Sequence, residues 1–342
     1  MELMNIARKI YQNCGDDFSK LIYMDKVLFA MSGDRKYVQK LVCDSMQSVG
    51  SELDNISSDE KLIIYGAGIN LDFVFNLCES KDLRVNYICD RDKNKQGTKY
   101  KEIDIISPEE LIKEHLDAKI MISTTSYFEE VLDFLRSYFK EEQIIHSIKA
   151  IAGNIRNQYF DDVLKFQDGE VFVDGGCFDF ETSKMLLSKC NVEKIYAFEP
   201  DIYNLKKVES EVEKMNLTNV KIFNAGIWDC NTTLRFNSAG SIMSRVDENG
   251  TDEIKVVAID EVINGKVTFI KMDVEGSELK ALKGAEKIIK QYKPKLAICI
   301  YHKLEDIIEI PEYIMSIVPE YKFYIRHYSL NEAETVLYAV VE

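Results

Sequence analysis

The sequence predicts an α/β protein with two doubly wound parallel sheets, preceded by a short helical segment. One pattern occurs twice, at residues 61–90 and at 170–199: an apolar run, a glycine turn, a helix-like stretch and a second apolar run that ends in an acid. Each copy is followed by further alternating strand-like and helix-like stretches. Two aromatic and β-branched runs at the C-terminus predict a closing antiparallel hairpin.

Composition and charge are those of an ordinary globular protein. The 342 residues are 46% hydrophobic and 30% charged, and two domains are expected at this length. The formal net charge of −15 argues against a nucleic-acid partner, because phosphate binding depends largely on Lys and Arg. Neither a membrane-spanning apolar run nor a signal peptide is recognisable, so we expect no membrane insertion and a cytoplasmic protein.

Cysteine spacing gives no sign of a metal site or of disulfides. The chain has eight cysteines, and they form no C-x-x-C pair and no cluster with histidine. We therefore expect buried, reduced thiols and no bound metal.

Residues 1–58 predict a helical N-terminal segment. Apolar side chains recur at spacings of three and four, and Gly33 followed by Asp34 is typical of a helix end and a new start. Such helices could form a cap or a dimer interface, which would make the chain a homo-oligomer, or could simply pack on their own domain.

Residues 59–150 predict the first doubly wound domain. A strand leads into the turn Gly66-Ala67-Gly68, and a second strand ends in Asp90. Leu71 occupies the sixth position of the glycine pattern, where a dinucleotide fingerprint has a small residue. The motifs IYGAG, ICDRD and ISPEEL resemble the Rossmann-like domain of sugar-nucleotide-handling and capsule-modifying proteins. This resemblance implies either a nucleotide-sugar site or a scaffold.

Residues 151–342 predict the second doubly wound domain. Val171 to Val173 form a strand that ends at Asp174, and the next strand ends in Glu199. A carboxylate at this strand tip can accept hydrogen bonds from both hydroxyls of a ribose. The pattern alone does not separate a dinucleotide from S-adenosylmethionine, and it also occurs in a purely structural β-α-β turn.

Two further acids and a histidine lie at predicted strand ends. Asp273 and Glu275 follow an apolar strand, and their spacing of two places both side chains on one face. Catalytic groups gather at such strand ends, although acids here also stabilise the start of a helix. His302 ends the next strand and is either a candidate base or a structural residue. The polar segment 232–260 predicts a β-hairpin, as a lid or as a solvated arm.

Four motifs, in this order, resemble the FkbM family of S-adenosylmethionine-dependent methyltransferases: FVDGGCFDFETS, AFEPD, FIKMDVEGSELKALKGAE and CIYHK. The resemblance covers about residues 170–342 and implies a class I methyltransferase fold with a terminal antiparallel hairpin. Phe180 stands where the family pattern has its third glycine. A side chain directed into the cofactor pocket would weaken binding, and one directed into the core would not.

The resemblance also implies roles for individual residues. The first turn would hold the amino-acid end of S-adenosylmethionine, the tip at Glu199 the ribose, and the turn at 226–229 the adenine. Asp273 and Glu275 would face the methyl group and the acceptor, and His302 is the other candidate for orienting or deprotonating the acceptor. The implied cofactor-binding residues are Asp174, Gly175, Gly176, Cys177, Glu199, Pro200, Gly226 and Asp229.

The resemblance thus implies an O-methyltransferase that acts on a hydroxyl of a sugar, glycan or related metabolite, free or nucleotide-linked. Two other functions are open at this point. The chain could be a nicotinamide-dependent oxidoreductase that uses the first doubly wound domain. It could also be a non-catalytic nucleotide-sugar-binding protein whose methyltransferase domain has degenerated, as Phe180 would suggest.

Overall fold

The computed structural model describes residues 2–45, 53–57, 59–146, 158–237, 245–246 and 250–341. These residues divide into two compact units: a larger one of Met1–Gly33, Gln158–His327 and Glu332–Glu342, and a smaller one of Asp34–Asn157 and Tyr328–Asn331. The division differs from the predicted segments 1–58, 59–150 and 151–342, because the first 33 residues belong with the larger unit. Residue 58 and residues 147–157, where the two boundaries were expected, lie outside the described residues.

The chain begins with two helices of the larger unit, α1 (Glu2–Asn13) and α2 (Asp17–Ser32). The carboxylate of Asp16 accepts a hydrogen bond of 2.6 Å from the backbone N–H of Ser19 and caps the start of α2. Gly33 ends α2 with a φ of 66°, in the left-handed region that glycine adopts without strain. The helix stop predicted at this glycine is therefore present.

The smaller unit contains a six-stranded sheet in the order β3-β4-β2-β1-β5-β6. All neighbouring strands are parallel except β3 and β4. The strands are β1 (Leu62–Tyr65), β2 (Val85–Cys89), β3 (Lys99–Tyr100), β4 (Ile103–Ile106), β5 (Lys119–Ile122) and β6 (Ile144–Ile145). The helices are α3 (Lys36–Ser45), α4 (Leu71–Ser80), α5 (Pro108–Glu114) and α6 (Phe128–Arg136), with 3-10 turns at Leu53–Asn55 and Glu141–Gln143.

The larger unit is built on a seven-stranded sheet. Its strands, in chain order, are β7 (Glu170–Gly175), β8 (Val192–Phe198), β9 (Val220–Phe223), β14 (Phe269–Met272), β15 (Lys295–Cys299), β16 (Lys322–His327) and β17 (Thr335–Val340). A second sheet contains β10 (Gly226–Ile227), β11 (Thr232–Asn237), β12 (Arg245–Val246) and β13 (Asp252–Val257). The helices are α7 (Glu181–Lys189), α8 (Ile202–Lys214), α9 (Ile259–Val262), α10 (Glu278–Lys283), α11 (Glu286–Tyr292) and α12 (Asp306–Ile317).

The strand order of the main sheet, β16-β17-β15-β14-β7-β8-β9, positions the site. From β7 the chain proceeds through β8 and β9 on one side, and then returns to β14 and β15 on the other. The order therefore reverses beside β7, which opens a crevice at the carboxyl ends of β7 and β14. The predicted α/β fold is confirmed, and the predicted C-terminal hairpin is the antiparallel pair β16 and β17.

The two N-terminal helices pack against β16, the edge strand of this sheet. Cys14 forms a parallel bridge with Phe323, and the Ser19 hydroxyl accepts a hydrogen bond of 2.9 Å from the N–H of Ile325. Arg326 pairs with Asp16 at 2.7 Å. Because an exposed sheet edge can pair with another chain, this cover protects β16. A homo-oligomer stays a prediction.

Candidate functional site

A cavity of about 250 Å³ opens at the crevice beside β7. Its walls come from the carboxyl ends of β7, β8 and β14 and from the second sheet. The sequence-predicted residues that line it are Gly176, Cys177, Glu199, Pro200, Gly226, Asp273 and Glu275. The cavity therefore brings together most of the site that the sequence predicts, from segments about 100 positions apart.

Gly176 forms the sharp turn at the end of β7. Its φ is 72°, and a Cβ at this position would overlap the carbonyl oxygen of Asp273. The N–H of Asp273 in turn donates a hydrogen bond of 3.1 Å to the carbonyl of Gly175. Only glycine permits this close approach of the two strand ends, and the turn lies at the cavity surface.

Glu199, at the tip of β8, is held by two backbone groups. Its Oε2 accepts a hydrogen bond of 3.0 Å from the N–H of Phe178, and its Oε1 accepts one of 2.9 Å from the N–H of Asp201. Burial raises the pKa of this carboxyl to about 7. The carboxylate is thus fixed at the cavity edge, and each oxygen keeps a lone pair that a ribose hydroxyl could use.

An apolar wall adjoins Glu199. Phe236, Ile254 and Val256 form a buried cluster that lines the cavity beside Ile227. A Cβ on Gly226 would come within 3.3 Å of Val256. These side chains form an apolar wall of the cavity next to Glu199.

Four predicted residues do not line the cavity in the part of the chain that the structure describes: Asp174, Gly175, Asp229 and His302. Gly175 lies below the turn, where a Cβ would come within 3.0 Å of the carbonyl oxygen of Lys271. Asp229, predicted near the adenine, instead pairs with Lys280 at 2.7 Å. The Asp229 carboxylate is therefore engaged by Lys280 and is not part of the cavity lining.

Asp174, predicted to hold the amino-acid end of the cofactor, is fully buried beneath the turn. Its Oδ2 accepts a hydrogen bond of 2.7 Å from the Ser183 hydroxyl, and its Oδ1 lies 3.4 Å from Lys271 Nζ. Lys271 also donates to the carbonyls of Gly175 and Gly176, at 3.1 and 2.6 Å. Burial alone would lower the pKa of Lys271, but the charges of Asp174 and Asp273 outweigh it and raise the pKa. The buried pair therefore supports the glycine turn from below.

The opposite wall carries an ionisable cluster. His302 Nε2 lies 3.5 Å from Asp273 Oδ1 and 3.6 Å from Glu275 Oε2, directly behind the cavity surface. His302 Nδ1 lies 3.0 Å from Oε1 of the fully buried Glu278. Glu278 is itself fixed by a hydrogen bond of 2.9 Å from the N–H of Val274. His302 thus faces three carboxylates.

Burial and charge set the protonation states of this cluster. Burial raises the pKa of Glu275 to about 7, and the negative charges of Asp273 and Glu278 add to this effect while His302 opposes it. Burial would lower the pKa of His302, but the hydrogen bond and charge of Glu278, with the charges of Asp273 and Glu275, raise it to about 9. At neutral pH His302 is therefore a cation, while Glu275 is balanced between its two forms.

The same three side chains could hold a metal ion. One ligand atom each from Asp273, Glu275 and His302 lies within 4.8 Å of the others. The sequence predicts no metal, and a protonated His302 provides the positive charge that two adjacent carboxylates require.

Three residues of this wall are not among the predicted site residues, although one of them, Tyr301, lies in the motif CIYHK. The Tyr159 hydroxyl donates a hydrogen bond of 2.7 Å to Asp273 Oδ2, and its pKa is raised by burial. Tyr301 donates to Glu334 Oε1 at 3.3 Å, and both side chains line the cavity. This side of the cavity is thus rich in hydroxyl and carboxyl groups.

Phe180 occupies the position of the family's third glycine. Its φ is 71°, which is strained for a residue with a side chain, and the side chain is fully buried. It is not among the residues that line the cavity. The side chain therefore points into the core. Of the two orientations expected from the sequence, this is the one that would not weaken cofactor binding.

Comparison with known proteins agrees with this geometry. The family model of the methyltransferase FkbM domain matches residues 170–325, and that of a C2185-like N-terminal domain matches residues 58–145. No curated protein matches the chain. A methyltransferase FkbM from Methylobacillus flagellatus is 22% identical, with a TM-score of 0.51 over 93% of this chain and 99% of that chain.

Other solved structures match a smaller share of the chain. An rRNA methylase from Streptococcus thermophilus is 15% identical, with a TM-score of 0.35 over 57% of this chain and 96% of that chain. Fibrillarin from Aeropyrum pernix, solved with S-adenosyl-L-methionine, is 8% identical, with a TM-score of 0.36 over 55% of this chain and 74% of that chain. The family match and the strand order agree: residues 170–325 form a methyltransferase FkbM domain with the class I fold, whose cofactor is S-adenosylmethionine.

Proposed function

We propose that the chain is an O-methyltransferase that methylates a hydroxyl group of a sugar, a glycan or a related metabolite. The observation that carries this proposal is the single cavity that joins Glu199, at one strand tip, with Asp273 and Glu275, at another. A donor site and a proton-accepting site thus share one space. The neutral and acidic groups around it, Tyr159, Tyr301 and Glu334, suit hydrogen bonds to a polyhydroxylated acceptor.

The fit to the cofactor comes from residues of the cavity floor. Glu199 would accept hydrogen bonds from the ribose hydroxyls, and the glycine turn at Gly176 would contact the amino-acid end. The apolar wall beside Ile227 would cover the adenine. When bound, the cofactor supplies an electrophilic methyl group, so the chain has mainly to align the acceptor and to remove its proton.

Glu275 is the best candidate for the base. A general base works best with a pKa near the working pH, and burial places that of Glu275 at about 7. Its Oε2 would take the hydroxyl proton of the acceptor. His302, as a cation 3.6 Å away, would hold the carboxylate in place, and Asp273 would orient the acceptor.

Replacing Glu199 by Ala is expected to weaken S-adenosylhomocysteine binding by about 10- to 100-fold. The variant loses charged hydrogen bonds to the ribose, which are worth about 1.5–3 kcal/mol. Calorimetric titration of both proteins measures the change without knowledge of the acceptor. Glu193→Ala, an exposed acid on β8, is the matched control and should bind normally. Unchanged affinity in Glu199→Ala would remove Glu199 from the site.

The pH profile of kcat at saturating S-adenosylmethionine is expected to be bell-shaped. Activity should rise as Glu275 loses its proton, around pH 7, and fall as the His302 cation is lost, around pH 9. Saturation with the donor removes the contribution of Glu199, whose pKa is also about 7. A rate that stays constant from pH 6 to pH 8 would contradict the assignment of Glu275.

Addition of EDTA should leave this profile unchanged. The cation facing Asp273 and Glu275 is then His302 and not a metal ion. Loss of activity that returns with a divalent cation would overturn this reading of the cluster.

A screen with labelled S-adenosylmethionine tests the acceptor class. Nucleotide sugars, free glycans and small polyols are expected to accept label at oxygen, and RNA is not. Transfer to an amine in preference to every hydroxyl would contradict the proposal.

A cytoplasmic location is part of the same proposal. Within the described residues no helix is long and apolar enough to cross a membrane.

The observed position of Phe180 weakens the alternative that the chain is a non-catalytic protein with a degenerate methyltransferase domain. That alternative depends on a Phe180 side chain that blocks the cofactor, and this side chain is buried outside the cavity lining. The oxidoreductase alternative has no specific observation in its favour.

A further inference from the structure

We propose that the smaller unit has a binding site of its own for a ribonucleotide with free ribose hydroxyls. A cleft of about 490 Å³ lies at the carboxyl ends of β1, β2 and β5, and all of its lining residues belong to this unit. None of the residues that line this cleft lines the cavity of the larger unit. The proposal goes beyond the methyltransferase function and does not depend on it.

The first argument is a carboxylate fixed at the edge of the cleft. Asp90 Oδ2 accepts a hydrogen bond of 2.6 Å from the N–H of Ala67, and Oδ1 accepts one of 2.8 Å from the N–H of Asp92. The side chain is 14% exposed. Both oxygens are thus oriented, and each keeps a lone pair at the cleft surface.

The larger unit repeats this arrangement at Glu199. There too an acid ends the second strand, and it accepts one hydrogen bond from the preceding glycine turn and one from the N–H two positions later. Asp90 therefore has the local geometry of the carboxylate that we assign to a ribose. A carboxylate with this geometry favours a vicinal diol as its ligand.

The second argument is a backbone turn that a ligand can approach closely. Gly66 has a φ of 115°, and a Cβ there would overlap the hydroxyl of the buried Ser123. Gly68 is different, because a Cβ on it would meet no atom within 4 Å. Open space therefore lies directly above the turn, where a phosphate or sugar can contact the backbone.

The third argument is the charge beside this turn. Lys95 Nζ donates a hydrogen bond of 2.9 Å to the carbonyl of Ala67 and lies 3.6 Å from Asp90 Oδ2. Arg91 pairs with Glu130, and its guanidinium lies 5.7 Å from the centre of the Tyr127 ring. The cleft thus combines a carboxylate for a diol with two cations for a phosphate.

The fourth argument is unexplained apolar exposure on the cleft wall. Ile69 is 96% exposed and Tyr127 is 60% exposed, and both line the cleft. A large apolar side chain at the mouth of a cleft is typical of a surface that a ligand covers. A nucleobase, flat and weakly polar, would cover it. Diol, phosphate and base together identify a ribonucleotide.

The test is a calorimetric titration of the full chain with UDP and GDP, with S-adenosylhomocysteine present at saturation to fill the larger unit's cavity. We expect binding of at least one nucleotide and at least tenfold weaker binding of its 2′-deoxy analogue. Asp90→Asn should weaken binding by about 10- to 100-fold. Asp104→Asn removes the same charge from β4, outside the cleft, and should have no effect.

Two further variants separate the possible outcomes. Ile69→Glu changes a side chain that is almost fully exposed, so the fold is retained, and it should also weaken nucleotide binding at least tenfold. Glu193→Ala, which lies outside both sites, should leave nucleotide binding unchanged. The proposal is overturned if neither nucleotide binds, if Asp90→Asn and Ile69→Glu bind normally, or if inorganic phosphate binds as tightly as the nucleotides.

Discussion

Replacing Glu275 by Gln is expected to lower kcat by about 10²- to 10⁴-fold, which is the range of a general base. The amide keeps the size of the carboxyl group but cannot accept the hydroxyl proton of the acceptor. S-adenosylhomocysteine affinity should change by less than threefold, because we propose that Glu199 and Gly176, and not Glu275, hold the donor. Rates at saturating donor, beside calorimetric titration of the same protein, measure both quantities.

Two further variants, at Asp273 and Glu305, test the same prediction. Asp273→Asn, which keeps an acceptor for Tyr159 but loses the charge facing His302, should also lower kcat more than donor affinity. Glu305→Gln alters an exposed acid just before α12 and should be fully active. If Glu275→Gln and Asp273→Asn both keep the parent kcat, the catalytic assignment of this wall is wrong. The double variant should lose less than the product of the two losses, because the side chains share one cluster.

The sequence alone predicts the parts of the site that lie at strand ends. In a parallel sheet the carboxyl ends of neighbouring strands meet at one edge, so Glu199 and Asp273 could be placed in one cavity from their positions in the chain. The family resemblance implied that Asp174 holds the cofactor, but the Asp174 side chain does not line the cavity. The Asp174 side chain lies below the sheet edge and pairs with Lys271, 97 positions later. No local sequence pattern predicts such a partner.

Long-range packing also explains what the sequence could not predict about domains. The first two helices were expected to form a separate segment with α3. The structure joins them to β16, more than 300 positions away, through Ser19 and Arg326. Periodicity reveals that a helix has an apolar face, but it does not identify the surface that this face covers. For the same reason Tyr159, 114 positions before Asp273, gave no signal.

Replacing Lys271 by Met is expected to lower the free energy of unfolding by about 3–5 kcal/mol, the usual cost of leaving one member of a buried ion pair unpaired. Both side chains are at most 3% exposed, so water cannot replace the lost ammonium group. The variant also loses the hydrogen bonds to the carbonyls of Gly175 and Gly176. Urea denaturation followed by circular dichroism measures the change.

A matched pair and a double variant separate charge from packing. Lys280→Met breaks the exposed pair with Asp229 and should cost at most about 1 kcal/mol. Asp174→Asn combined with Lys271→Met removes the unpaired carboxylate and should recover a large part of the lost stability. If Lys271→Met were no less stable than Lys280→Met, the buried pair would not support the fold. If stability returned in the double variant without S-adenosylhomocysteine binding, Lys271 would act on the cofactor site through the glycine turn that it holds.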